Sequence, residues 1–221
     1  MKHCVIFDID GTLLNTEVIY MRAWKEGGAE LGFDVPDEAL KKTRAVNSAQ
    51  AMATFRAYCG EDFPYEIVRD RRVEIAERLI GETQGKDLQM IGAVQVLSWL
   101  KDRGICVAAA SSTGKEKTLS HLEHAELLGF FDVIVGGDMV TKGKPNPDIF
   151  LKAAELAGIC PENCIVVGDT PADVLAASAA NIPVVLIPDQ VPANEQTTAL
   201  SMAVLSGLGQ LQALIQKHFA L

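Results

Sequence analysis

Residues 3–14 read HCVIFDIDGTLL, an apolar run from Val5 to Phe7 that stops at Asp8 and Asp10, with Gly11 and Thr12 directly behind. A run this short, rich in β-branched and aromatic residues, predicts a buried strand. Two carboxylates one residue apart at the end of such a strand are costly unless a cation binds there. Residues i and i+2 share a face of a strand, although a turn opening at Gly11 loosens that rule at Asp10. Two readings stand on these residues alone. One is a metal-binding and catalytic centre; the other is a turn at Asp10-Gly11 with Asp8 merely solvated at the strand end.

Working outward, the chain after residue 87 alternates short apolar runs with helical patterns. The runs are Ile105 to Ala110, Val133 to Val135, Ile165 to Val167 and Val184 to Ile187, and between them lie helix candidates over 92–103, 115–128, 147–157 and 171–180. Such alternation predicts an α/β fold: a doubly wound, mainly parallel sheet with helices on both faces. Residues 16–87 differ. Helical periodicity runs through 17–31, 37–58 and 65–80, Gly32, Gly60 and Gly81 act as stops, and no convincing strand appears. The expected organisation is a catalytic core of residues 1–15 and 88–221 with a helical cap inserted over 16–87. The tail over 194–219 reads as one or two helices around Ser206-Gly207.

Composition bounds the partners. The 221 residues carry 29 acidic against 20 basic side chains, a net charge of −9. That balance disfavours a nucleic-acid backbone or an anionic membrane as main partner. A small anionic substrate is still compatible, given a metal or a few placed cations, and no obligate protein partner is evident. Five scattered cysteines fit a reducing compartment. No apolar stretch nears the ~20 residues of a membrane span, and the acidic start does not suit a signal peptide, so the cytoplasm is the expected location. Cys160 and Cys164 read as ordinary thiols, and His121 and His124 as a solvated helix face.

In doubly wound sheets ligands bind at the carboxyl ends of the strands, and three further ends carry suitable residues. The run to Ala110 is followed by Ser111-Ser112 and then Gly114, which offers a hydroxyl and free N–H groups for a phosphate, or an ordinary helix cap. After Val135 comes GGDMVTKGKPNPD, where Lys144 precedes Pro145 in a rigid loop. Its GK is not a P-loop, because Pro145 stands where Mg²⁺ needs Ser or Thr. The run to Val167 ends in Gly168-Asp169-Thr170, with Asp173 in the first turn of the next helix and able to face back.

The ordered set DIDGT, SS, KGKPNPD and GDTPAD, with a helical insert after the first motif, resembles the haloacid dehalogenase superfamily, in its helical-cap phosphatase and β-phosphoglucomutase-like branch. AWKEGGAELG in the insert is similar to that branch's first cap helix. The resemblance implies that Asp8 is a nucleophile forming an aspartyl-phosphate and that Asp10 is a general acid and base. It further implies Mg²⁺ held by Asp8, the Asp10 backbone carbonyl and Asp169, with Asp173 in support, while Ser111 and Lys144 hold phosphoryl oxygens. Dehalogenases of the superfamily lack the second acid, so Asp10 points to phosphoryl transfer. Mutases of the branch carry an arginine in a GVSRE-like stretch; here RAVNSAQ places Ser48 at that position, and Gly168 stands where mutases tend to have an acid. The implied function is a magnesium-dependent phosphatase of a small phosphorylated metabolite, with a sugar phosphate as one option. A hexose phosphomutase is the alternative that the nearby Arg44 keeps open, and a phosphorylated signalling module is a third. Asn15, Thr16, Glu17, Arg44, Asn47 and Ser48 are candidates to touch the leaving group, or else solvated cap surface.

Overall fold

The computed structural model describes residues 2–43 and 48–220; Arg44 and Asn47 lie outside them. The chain divides into two compact units, one of residues 1–15 and 85–221 and the other of residues 16–84.

In the first unit the strands are β1 (Cys4–Phe7), β2 (Cys106–Ala110), β3 (Val133–Val135), β4 (Cys164–Gly168), β5 (Val184–Leu186) and β6 (Ala203–Val204). They form one sheet in the order β3-β2-β1-β4-β5-β6, every pairing parallel. β1 is central because it is apolar throughout and fully buried, which only a strand covered on both faces needs. Its even-numbered residues, Cys4 and Ile6, join Ala108, Ala110 and Val166 against α7 (Asp148–Ala157) and α8 (Pro171–Ala179) through Phe150, Ala153 and Val174. Its odd-numbered residues, Val5 and Phe7, point to the opposite face, on whose side α5 (Ala93–Asp102) packs against β2. Helix α6 (Lys115–His124) follows β2.

The tail departs from the helix-only expectation. Between α9 (Glu195–Leu200) and α10 (Leu211–His218) lies β6, which pairs Ala203 with Val185 and Val204 with Leu186. Two residues carry no period, so an edge strand this short leaves no pattern in sequence. His121 also departs from expectation: it is buried, at 2% exposure, rather than solvated.

The second unit is helical: α1 (Glu17–Glu30), α2 (Asp37–Lys42), α3 (Ser48–Cys59) and α4 (Tyr65–Glu82). The single helix expected over 37–58 is two segments. The first closes at Thr43, whose hydroxyl donates to the carbonyls of Ala39 (2.9 Å) and Leu40 (3.1 Å). Helices α1 and α4 pack together, and an aromatic core joins Trp24, Phe55, Phe63 and Tyr65. Trp24 stacks on Phe55 at 4.4 Å between ring centres. Among the described residues no helix is long and apolar enough to cross a membrane.

Candidate active site

The parallel sheet brings the carboxyl ends of β1, β2 and β4 side by side. Asp8 follows β1 directly, and its backbone N–H donates to the Val167 carbonyl at 2.8 Å, tying it to the end of β4. The chain then turns at Gly11, whose φ of +87° suits glycine. Space demands it as well: a Cβ there would lie 2.5 Å from Asp169 Oδ2.

Around Asp8 the polar groups converge. Lys144 Nζ donates to Asp8 Oδ1 at 2.5 Å and to the Ala110 carbonyl at 2.9 Å, and lies 2.7 Å from Asp173 Oδ1. Its side chain is 5% exposed, its position backed by the Phe150 ring. Asp169 accepts a 3.0 Å bond from the Thr12 hydroxyl, which also reaches Asp8 Oδ2 at 3.5 Å. Asp169 does not cap α8. Thr170 does, accepting from the Asp173 N–H at 3.3 Å, while its own N–H and hydroxyl donate to Asp173 Oδ2 at 3.0 and 2.5 Å. That capping box fixes Asp173 in the first helical turn, pointing back at the sheet. Carboxylate oxygens of Asp8, Asp169 and Asp173 all lie within 4.8 Å of one another, and all three residues are buried.

Asp10 is held apart from this cluster. Its Oδ2 accepts from the Ser111 hydroxyl at 3.1 Å and the Thr113 hydroxyl at 3.2 Å, while Ser111 Oγ in turn accepts the Thr113 N–H at 3.0 Å. The structure thus brings together Asp8, Asp10, Ser111, Lys144, Asp169 and Asp173, and places the Ser111 hydroxyl on Asp10. It adds Thr12 and Thr113, whose roles as orienting hydroxyls carry no sequence signal, and Thr170, whose spacing from Asp173 is that of a capping box. Asn15 belongs to the sheet unit; Thr16 is buried, Glu17 half-buried and Ser48 exposed in the helical unit. Gly168 faces Asp173 so closely that a Cβ would come within 2.5 Å of that residue's own Cβ. No acid fits at position 168 with Asp173 placed as it is.

Electrostatics set the character of the site. Burial pushes the Asp8 carboxyl up; Lys144 pulls it back, Asp173 and Asp10 push it further, and the result lies at about 7. Burial acts on Lys144 in the opposite sense, but Asp173 and Asp8 outweigh it and hold its ammonium above the ordinary lysine range. Three buried carboxylates therefore crowd together while Lys144 pairs with two of them, Asp8 and Asp173. That excess of negative charge, made wholly of hard oxygen donors, suits a small divalent cation, and Asp8, Asp169 and Asp173 are the residues that could hold it.

A consequence for stability follows. The folded protein keeps a proton on Asp8 to a higher pH than the unfolded chain does, so the fold binds more protons between about 3.8 and about 7. Stability contributed by Asp8 is then present at low pH and lost as pH rises through about 7. In chelator, thermal melts should show this loss, and Mg²⁺ should restore stability chiefly at and above neutrality, where ionised ligands are available. Asp8→Asn should flatten that part of the pH profile; an unchanged slope in the variant would contradict the assignment.

Comparison with known proteins places this geometry in context. The family model for haloacid dehalogenase-like hydrolases matches residues 2–181. A phosphorylated carbohydrates phosphatase of Thermotoga maritima is 29% identical over 178 residues, covering 80% of this chain and 81% of that protein. Hexitol phosphatase A of Escherichia coli is 32% identical over 183 residues, covering 82% of this chain and 81% of its own length. The solved β-phosphoglucomutase of Clostridium difficile superposes with a TM-score of 0.78 across 100% of this chain and 98% of that one, at 22% identity, a likeness of fold alone.

Proposed function

This chain belongs to the haloacid dehalogenase-like hydrolase family and is a phosphoric monoester hydrolase, and on that premise we propose that it is a Mg²⁺-dependent phosphatase. Its substrate is a small phosphorylated carbohydrate or polyol, cleaved through an aspartyl-phosphate on Asp8. The observation that carries the reading is the convergence on Asp8 of one lysine and two further buried carboxylates, with a second acid held separately on two hydroxyls.

An Asp8 carboxylate oxygen attacks phosphorus, and the bond to the ester oxygen breaks with its electron pair leaving on that oxygen. Asp10, oriented by Ser111 and Thr113, delivers the proton that neutralises it. In the second half Asp10 takes a proton from water, the water oxygen attacks phosphorus, and Asp8 departs as a carboxylate. Lys144 keeps Asp8 in the ionised form that can attack and pairs with the charge of the phosphoryl oxygens. Asp8, Asp169, Asp173 and the Asp10 carbonyl would hold Mg²⁺, which when bound supplies charge neutralisation for phosphoryl transfer. Ser111 would add its hydroxyl to the phosphate site by turning it from Asp10, to which it donates in this structure, leaving Thr113 to orient that acid.

Hydrolysis is favoured over mutase chemistry by Gly168, where the crowding from Asp173 leaves no room for the acid that mutases tend to carry. The test is a screen of sugar and polyol phosphates with Mg²⁺ and with chelator, glucose 1-phosphate among them. The expected result is free phosphate, dependent on the metal. Glucose 6-phosphate without phosphate release would instead establish the mutase, and no turnover of any ester would leave the signalling module.

A further inference from the structure

Three of the five cysteines line up across the sheet at the end opposite Asp8. In the strand registers Cys4 of β1 is the direct partner of Cys106 of β2 on one side and of Cys164 of β4 on the other. Direct partners in a parallel ladder point to the same face, and all three side chains belong to the apolar cluster that Phe150 and Val174 complete from α7 and α8. All are free thiols. Neighbouring strands run about 4.7–4.9 Å apart, inside the roughly 4.4–6.8 Å between Cα atoms that a disulfide spans. Cys106 and Cys164 stand two strands apart, beyond that reach. Cys4 is therefore the partner that either one must use.

The three thiols differ in access. Cys4 and Cys164 are buried, whereas Cys106 is half-buried. Cys106 lines a cavity of about 330 Å³ at the amino ends of the strands, with Lys101, Gly104, Asp132 and Ala157 among its walls. Water occupies about 30 Å³ in the liquid, so a small hydroperoxide has ample room there. Charge acts in the same sense as access. Contact with the Cys106 and Cys164 thiols, and then burial, push the Cys4 thiol up. The same contact with Cys4 pulls the Cys106 thiol down, and Lys101 acts with it against burial and Asp132. Cys164 is pulled down by Cys4 as well, but it is not among the residues that line the cavity. Thiolate character thus meets the cavity at Cys106, beside a thiol that keeps its proton.

We propose that Cys106 and Cys4 form a peroxide-reactive dithiol: a small hydroperoxide entering the cavity oxidises Cys106, and Cys4 then closes a reversible disulfide between β1 and β2. With hydrogen peroxide, the Cys106 thiolate attacks one oxygen, the O–O bond breaks, and hydroxide leaves with the electron pair to take up the proton that Cys106 had released. Cys106 is now a sulfenic acid. The Cys4 sulfur attacks Cys106 Sγ, the S–O bond breaks, and the departing hydroxide carries off the Cys4 proton as water. The two thiols together lose two electrons, and the peroxide is reduced to two molecules of water. A Cα spacing set by adjacent strands is shorter than the ~5.5–6 Å commonest in disulfides, which suits a bridge that forms and opens rather than a permanent staple. The dithiol shares no residue with the phosphatase site.

The experiment treats the full-length, folded protein with a small molar excess of hydrogen peroxide, alkylates the remaining thiols after denaturation, and maps the products by mass spectrometry. The expected result is loss of two of the five alkylatable thiols, a bridged pair of peptides holding Cys4 and Cys106, and full recovery with dithiothreitol. Cys106→Ser should lose the bridge, Cys160→Ser should keep it, and Cys4→Ala should leave Cys106 as a sulfenic acid that dimedone traps. Should Cys4→Ala fail to fold, the map of the unmutated protein still decides. A bridge between Cys4 and Cys164, or one involving Cys160, would overturn the assignment of Cys106. Oxidation confined to the exposed Cys160, or Cys106 driven to a sulfinic acid without a bridge, would show that Cys4 and Cys106 do not act as a pair.

Discussion

Asp8→Asn is expected to remove phosphate release almost entirely, a loss on the order of 10⁴ to 10⁶ in kcat. The substitution keeps the side-chain shape at the end of β1 but replaces the attacking oxygen with an amide that cannot form the phosphoryl bond. Every other group remains in place: Lys144 retains Asp173 at 2.7 Å and the Ala110 carbonyl at 2.9 Å. Folding should be intact, because ionising Asp8 opposes the fold above about pH 7, and in chelator at alkaline pH the variant should melt no lower than the parent. Phosphate release followed by steady-state assay, beside a melting curve, reads both effects. Near-normal turnover would remove Asp8 from the nucleophilic role, and a collapsed melting curve would show the residue to be structural.

Lys144→Met should be damaging in both respects. Among the described residues, Lys144 is the cation paired with both Asp8 and Asp173, and its side chain is almost wholly buried. Taking away one partner of a buried ion pair leaves charge uncompensated, at a cost of about 3–5 kcal/mol. For a domain of this size that corresponds to roughly 6–20 °C in melting temperature in chelator. Mg²⁺ should return part of the stability by replacing the lost positive charge. It should not return the rate, which is expected to fall on the order of 10² to 10³ from loss of aligned charge at the phosphoryl oxygens. A Lys144→Met protein that melts with the parent in chelator would mean that the two carboxylates are protonated or rearranged, and a normal rate would free the lysine from phosphate binding.

Much of the core fold was legible because burial leaves a period-free apolar signature in a parallel strand. β1, β2, β4 and β5 each read as such runs, and each ends at a turn residue or an acid. The candidate site was legible for the same reason: Asp8, Ser111 and Asp169 sit where apolar runs stop, and a polar group there has few cheap explanations, whereas Lys144 lies nine residues beyond Val135 and stood out by its rigid loop and by the resemblance. Thr12 and Thr113 were not legible. A hydroxyl becomes informative only when its partner is known, and those partners, Asp169 and Asp10, lie 157 and 103 positions away. In GDTPAD the proline at the first helical position leaves Thr170 as the cap, so Asp169 stands before the helix and accepts from Thr12.

The sequence by itself determined the class of chemistry: which strand ends carry acids, hydroxyls and a lysine, and in what order. It did so because strand and helix periodicities are local and because an acid at the end of a buried strand violates an energetic rule visible in one dimension. Only the tertiary structure decided how those groups divide the labour. Parallel pairing on either side of β1 sets Lys144 between Asp8 and Asp173, and two hydroxyls that follow β2 draw Asp10 aside. The two acids of DIDGT are equal in the sequence and unequal in the fold, since what a carboxylate does depends on the charges and donors within a few ångströms of it, and those come from distant parts of the chain.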